Sequence, residues 1–163
     1  MTVLAAALSL QPIAPCGSTM ARHVAQASLS AEYHTGVSAL LLASIAAVES
    51  SCWPAVGSRR GSGGIGCVCG PWQIMVYPCE PAECGNLLRY SYAARRAGRL
   101  LSTWSSIYCP GGGVCGRALL RYNNSEIWLV KVRNVYSALV AFVKLTMEKP
   151  PKQIPVAFDA KPR

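Results

Sequence analysis

Apolar and polar positions divide the chain into helical stretches separated by turn-rich segments. The most apolar run, Leu40 to Val48, closes on Glu49-Ser50-Ser51. The stretch Val37 to Glu49 is apolar nearly all round, which predicts a central helix rather than a surface one, with Pro54 and Gly57 as stop signals. Between Tyr92 and Ile107, the residues Ala93, Ala97, Leu100, Leu101, Trp104 and Ile107 recur at helical spacing while Arg95, Arg96 and Arg99 fall elsewhere, so this helix packs on one face. Trp128, Val132, Val135, Tyr136, Leu139, Phe142 and Val143 mark a long amphipathic helix that Pro150-Pro151 stops. Met20 to Leu29 reads as a shorter helix, with Val24, Ala27 and Leu29 facing in.

The connecting stretches are rich in glycine, proline and cysteine. Pro54 to Gly70 has the composition of a loop or a short irregular hairpin, and Tyr77 to Gly85 reads as a second constrained loop. Gly111-Gly112-Gly113 reads as a flexible turn before Arg117 to Tyr122. The expected fold is a single, mainly helical domain over residues 19–148, with little strand and long loops. An apolar arm (1–18) precedes it and a basic, proline-containing tail (149–163) follows. Thr2 to Leu10 is apolar like the core of a secretory signal, but no basic residue precedes it and Pro12, Pro15 and Cys16 follow at once.

Composition narrows the class. A chain of 163 residues is long enough to bury a core, and although 52% of it is apolar, no run reaches the roughly 18 to 20 residues of a membrane-spanning helix. The net charge of +9, from 16 basic against seven acidic residues, favours anionic polymers or lipid surfaces as partners. The arginines fall in scattered pairs, Arg59-Arg60 and Arg95-Arg96, without interleaved stacking aromatics, which argues against nucleic acid. The tail from Lys149 is expected to be solvated, able to dock on anionic cell wall or on a larger assembly.

Eight cysteines, Cys16, Cys52, Cys67, Cys69, Cys79, Cys84, Cys109 and Cys115, form an even set that predicts a disulfide framework and an oxidising compartment. Their spacings are not those of zinc ribbons, and His23 and His34 lie far from them in sequence, so no metal or other cofactor is expected. Cys79 with Cys84 and Cys109 with Cys115 would close small loops, leaving Cys16, Cys52, Cys67 and Cys69 to tie the amino terminus to the central loop.

An ionisable residue at the end of an apolar helix is costly to desolvate unless it is paired or used, which makes Glu49 the first candidate for chemistry. Burial disfavours the carboxylate, so such a glutamic acid is suited to hold a proton near neutral pH and give it to a leaving oxygen. Three separated pieces stand out: Glu49-Ser50-Ser51, the Gly70-x-x-Gln73-Ile74 element, and Ala118-Leu119-Leu120-Arg121-Tyr122-Asn123. In that order the chain, over about 29–136, resembles the lytic transglycosylases of the soluble, goose-lysozyme-like type, and within them the branch associated with type IV secretion systems and phage virions.

The resemblance implies a lysozyme-like α+β domain that cleaves peptidoglycan without water, in the periplasm or from a virion. Glu49 would be the single catalytic acid and base. Gln73 and the backbone around Gly70 would shape the saccharide cleft with Ile74, and Tyr122 would hydrogen-bond near Glu49. Ser50 and Asn123 belong to the same matched motifs, and Ser58 or Ser62 stands in for a serine that relatives carry in the intervening loop. Here that loop departs from the pattern, being longer and glycine-rich with Cys67 and Cys69, and Asn124-Ser125 follows Tyr122-Asn123 where relatives continue with a small residue and glycine.

A hydrolase would need a second carboxylate, for which Glu32, Glu80, Glu83, Glu148 and Asp159 are the remaining candidates outside the long helix's start. The alternatives are a hydrolytic muramidase and a structural protein of a virion or secretion machine with little activity. Glu49 as a cap or as an arginine's partner, Gln73 as an ordinary turn residue, and Tyr122-Asn123 as a helix end capped by a left-handed Asn are the plain structural readings. Among the tryptophans, Trp53, Trp72, Trp104 and Trp128, core or rim positions are the default, with Trp72 nearest the expected cleft as a sugar-stacking candidate.

Overall fold

In a computed structural model, the described residues are 2–10, 12–61, 64–147 and 156–158. At 58–61, 64–65 and 156–157 the description is of the backbone. The chain begins with helix α1 (Val3–Leu10), whose Leu4, Ala5, Ala7 and Leu8 are buried. The apolar arm is therefore a packed element: with no polar face to show to water, it lies against α2 (Ser18–Thr35) and, at the far end of the chain, α7 (Glu126–Thr146). Helix α2 starts near the predicted residue and buries Val24 and Ala27, but Leu29, expected to face in, is exposed. The helix runs on to Thr35, where Gly36 at φ +70° takes the left-handed cap and donates its N–H to the Glu32 carbonyl.

The central helix α3 (Ala39–Ser50) is buried from Ala39 to Ala47 except at the half-buried Leu40, and packs against α1, α2, α5 (Tyr90–Tyr108) and α7. Its last turn, carrying Glu49, emerges half-buried. Helix α5 buries Ala93, Ala94, Ala97, Gly98 and Leu101. At Gly98 an added Cβ would stand 2.6 Å from Thr35 Oγ1, so α2 and α5 approach too closely there for any side chain.

The glycine-rich segment after α3 is a hairpin of β1 (Val56–Gly61) and β2 (Gly64–Cys69), to which β3 (Ile74–Val76) adds antiparallel, with Val68 opposite Met75 and Cys69 opposite Ile74. The second expected loop contains a short helix, α4 (Pro81–Leu87), opened by proline at its first position, where a missing N–H costs nothing. After the glycine turn come β4 (Val114–Cys115) and α6 (Gly116–Tyr122). Helix α7 opens with Ser125 Oγ accepting from the Trp128 N–H at 3.3 Å and ends at the extended Met147. Part of the tail is not merely solvated: β5 (Val156–Ala157) pairs in parallel with β4, and the Phe158 ring lies 5.6 Å from that of Tyr136. Pro150-Pro151 and most of the tail lie outside the described residues.

Seven helices and three short strands around one core, with the β4–β5 pair beside them, make the described residues a single, mainly helical domain. All eight cysteines are paired: Cys16–Cys52, Cys67–Cys79, Cys69–Cys84 and Cys109–Cys115. The expected Cys79–Cys84 loop is corrected by the sheet. Cys67 and Cys69 are two apart in β2 and share a face, on which the chain leaving β3 brings Cys79 to one and α4 brings Cys84 to the other. Four disulfides place the chain in an oxidising, extracytoplasmic environment. Among the described residues no helix is long and apolar enough to cross a membrane.

Candidate active site

Helix α3 cannot run on past Ser50, because Ser51 (φ 51°) and Cys52 (φ 68°) are both left-handed. Such conformations are costly for residues with a Cβ and persist where the surroundings hold them. Here the Cys16 disulfide and the Tyr90 hydroxyl, donating to the Cys52 carbonyl at 3.0 Å, hold the turn. Ser50 Oγ lies 2.8 Å from the Pro71 carbonyl and 3.2 Å from that of Ala46, tying the helix end to the next segment. Glu49 is thereby fixed at the rim.

The segment 70–73 is a tight turn. Gly70, at φ +77°, is required by its backbone and by space, since a Cβ would stand 2.0 Å from the Leu87 carbonyl oxygen. Gln73, at φ 46°, folds its side chain back so that Nε2 donates to the carbonyls of Gly70 (2.8 Å) and Ala55 (3.2 Å). Ser51, Cys52 and Gln73 are the non-glycine residues with positive φ among the described residues, and all three flank the same site. Trp72, between them, is fully buried with its indole N–H on the Leu42 carbonyl at 2.8 Å. It is a core residue, which corrects the sugar-stacking candidate.

The third piece arrives on α6. The Tyr122 hydroxyl donates a short hydrogen bond to the Trp72 carbonyl, and its ring is stacked parallel to Trp128 (6.0 Å) and edge-on to Trp104 (6.1 Å). Burial, and secondarily the negative charge of Glu49, push the Tyr122 hydroxyl well above its ordinary pKa, so it stays a neutral donor. Asn123 follows in an extended conformation rather than the expected left-handed one, and its Nδ2 reaches Glu49 Oε1 at 3.3 Å.

These groups surround a cavity of about 300 Å³. Glu49, Tyr122, Asn123 and Arg121 line one part, Val68, Gln73, Ile74 and Met75 the sheet side, and Leu100 and Trp104 the α5 side. Of the expected site residues, the structure brings Glu49, Gln73, Ile74, Tyr122 and Asn123 to one cleft. Gly70 and Ser50 shape it from behind through the bonds given above, and Ser58 has its backbone paired with Cys67 in the hairpin. Ser62, the other serine considered, lies outside the described residues.

Glu49 is the one carboxylate among the described residues that line the cavity. Glu80 stands at the N-cap position of α4 without a side-chain capping bond, Glu83 accepts from the Tyr92 hydroxyl at 3.1 Å, and Glu32 lies on α2. Glu148 and Asp159 are outside the described residues. No group of three or more metal-ligating side chains occurs among the described residues. Sequence reasoning missed Leu100, Trp104, Val68 and Met75 as lining residues, and gave no role to Arg121, which stands within the third piece. The first two were visible as a helical stripe, but a stripe does not say whether it meets a core or a cleft. No family model, curated protein or solved structure matches this chain.

Proposed function

We propose that the domain is a peptidoglycan-cleaving lytic transglycosylase of lysozyme-like type, breaking the β-1,4 bond between N-acetylmuramic acid and N-acetylglucosamine. The observation that carries the reading is the convergence of Glu49, Gln73, Tyr122 and Asn123, from three separated motifs, on one cleft with Glu49 as its carboxylate. Glu49 in its acid form gives a proton to the bridging oxygen. The resulting carboxylate then takes the proton of the muramyl C6 hydroxyl as that oxygen closes on the anomeric carbon. The products are a free N-acetylglucosamine end and a 1,6-anhydromuramyl end, and no second carboxylate is called on.

Asn123, on Glu49 Oε1, orients the carboxyl group and supports its anionic form between the two steps. Tyr122 anchors α6 to the Trp72 backbone and so fixes Asn123's place. The muramyl N-acetyl group is available to stabilise positive charge at the anomeric carbon. Local wall penetration by a virion or a secretion apparatus is the role that fits this activity and an extracytoplasmic, basic protein.

The test is mass spectrometry of fragments released from purified peptidoglycan. Anhydromuramyl ends from the protein, and none from Glu49→Gln, are expected. Reducing muramyl ends would make it a hydrolase, and no release by folded protein would leave a structural role.

A further inference from the structure

We infer that Arg121 is the anion-recognition group of this cleft, selecting glycan strands through a carboxylate on the muramyl unit. The inference rests on the saccharide reading above and adds to it the charge of the ligand. Arg121 stands in the last turn of α6, one residue before Tyr122, and lines the same cavity as Glu49. It is exposed, and its guanidinium lies 5.4 Å from the centre of the Tyr108 ring.

Both partners of that stack are fixed. Tyr108 ends α5 and Arg121 is the penultimate residue of α6, and the Cys109–Cys115 disulfide joins the residue after α5 to the residue before α6. The guanidinium is thus held at the rim with its charge permanent and its planar fork of donors in water, the arrangement that suits a carboxylate. It also answers an electrostatic difficulty. A strand bearing carboxylates meets the negative form of Glu49 in the same cavity, and a fixed cation beside it offsets that repulsion. Two sources present this chemistry, the muramyl lactyl group in stem-free strands and the acidic residues of the peptide stem.

The test uses the full-length Glu49→Gln protein, which leaves ligand intact, titrated by calorimetry with a muramyl disaccharide and a disaccharide-peptide. Each is offered as the free acid and with its carboxylates converted to carboxamides. The acid forms are expected to bind about tenfold more tightly, a difference that narrows in high salt, shrinks in Arg121→Lys and vanishes in Arg121→Gln. A preference seen already with the stem-free disaccharide assigns the lactyl group, and one seen only with the peptide assigns the stem. Equal binding of acid and amide forms by Arg121-containing protein overturns the inference while the saccharide cleft stands. No binding of any form overturns the saccharide reading and this inference with it.

Discussion

Two cavities of similar size flank α5, and their linings could hardly differ more. One, of about 300 Å³, takes Leu100 and Trp104 from the helix and meets Glu49, Gln73, Arg121, Tyr122 and Asn123 from elsewhere in the chain. The other, of about 240 Å³, takes Ser102, Ser105 and Ser106 from a different face of α5 and meets Thr35, Gly36 and the turn at Gly112-Gly113. The first brings ionisable groups together and is held by left-handed residues, a disulfide and cross-chain hydrogen bonds. The second has hydroxyls, backbone and the uncharged side chains of Val37, Cys109 and Val114, and the buried Ser105 Oγ has no hydrogen-bond partner among the described residues. Volume alone does not make a site. Convergence of groups that can exchange protons, on a backbone forced into place, is what separates the two.

That contrast can be broken in several ways, the largest first. Glu49→Gln keeps size and polarity but cannot give up a proton, so fragment release should fall roughly a thousandfold while the thermal midpoint hardly moves. A loss of folding in parallel with activity would return Glu49 to a structural role. Replacing Cys69 and Cys84 together by alanine opens a loop of sequence separation 15, worth about 3 kcal/mol. Denaturant titration should show that loss, and activity should drop as β2, one wall of the cleft, loosens from α4.

Tyr122→Phe leaves the aromatic stack and removes the hydroxyl from the Trp72 carbonyl, costing about 1 to 2 kcal/mol by the same titration. Turnover should fall several-fold as Asn123 loses its fixed position. In the other cavity, Ser105→Ala removes an unsatisfied hydroxyl in favour of a better helix former. It should raise stability by up to about 1 kcal/mol and leave fragment release unchanged. A drop in release would give the second cavity a part in function.

The smallest effect is expected at Glu32, whose pKa is raised chiefly by burial of its carboxyl group and lowered in part by the Ala39 N–H. The folded state therefore binds this proton more tightly than the unfolded chain, and stability falls as pH rises from the ordinary carboxyl range through the raised value. Glu32→Gln should melt slightly higher than the parent at neutral pH, with the gap closing in acid. Thermal denaturation across that range reads it directly.

How much of this was legible depended on whether the deciding contacts were local. Helix α3 was readable because an apolar run has one place to go, and Glu49 was readable because it ends that run. The i, i+4 pattern of α5, apart from the exposed Ile107 at its end, and the stripe of α7 were equally plain, as was the short Cys109–Cys115 loop. Helix α1 reads as an arm in the sequence because a short, mostly apolar stretch before two prolines does not announce a partner, and α7, one of its partners, is distant in sequence. Proline at the start of α4 was the signal that could have turned a loop into a helix. The pairings of Cys67 and Cys69 followed from strand register, which spacing does not encode. In the site, Glu49, Gln73, Tyr122 and Asn123 were found by motif, whereas Trp72's burial and Arg121's place in the cleft needed the packing of α6 against α5.

The most direct test of a single-carboxylate, water-free reaction at Glu49 is cleavage of purified peptidoglycan in oxygen-18 water, by the protein and by Glu49→Gln, with the released muramyl ends read by mass. The expected result is ring-closed ends carrying no heavy oxygen, made by the protein and not by the variant. Heavy oxygen at the anomeric carbon, or equal release by Glu49→Gln, would contradict it.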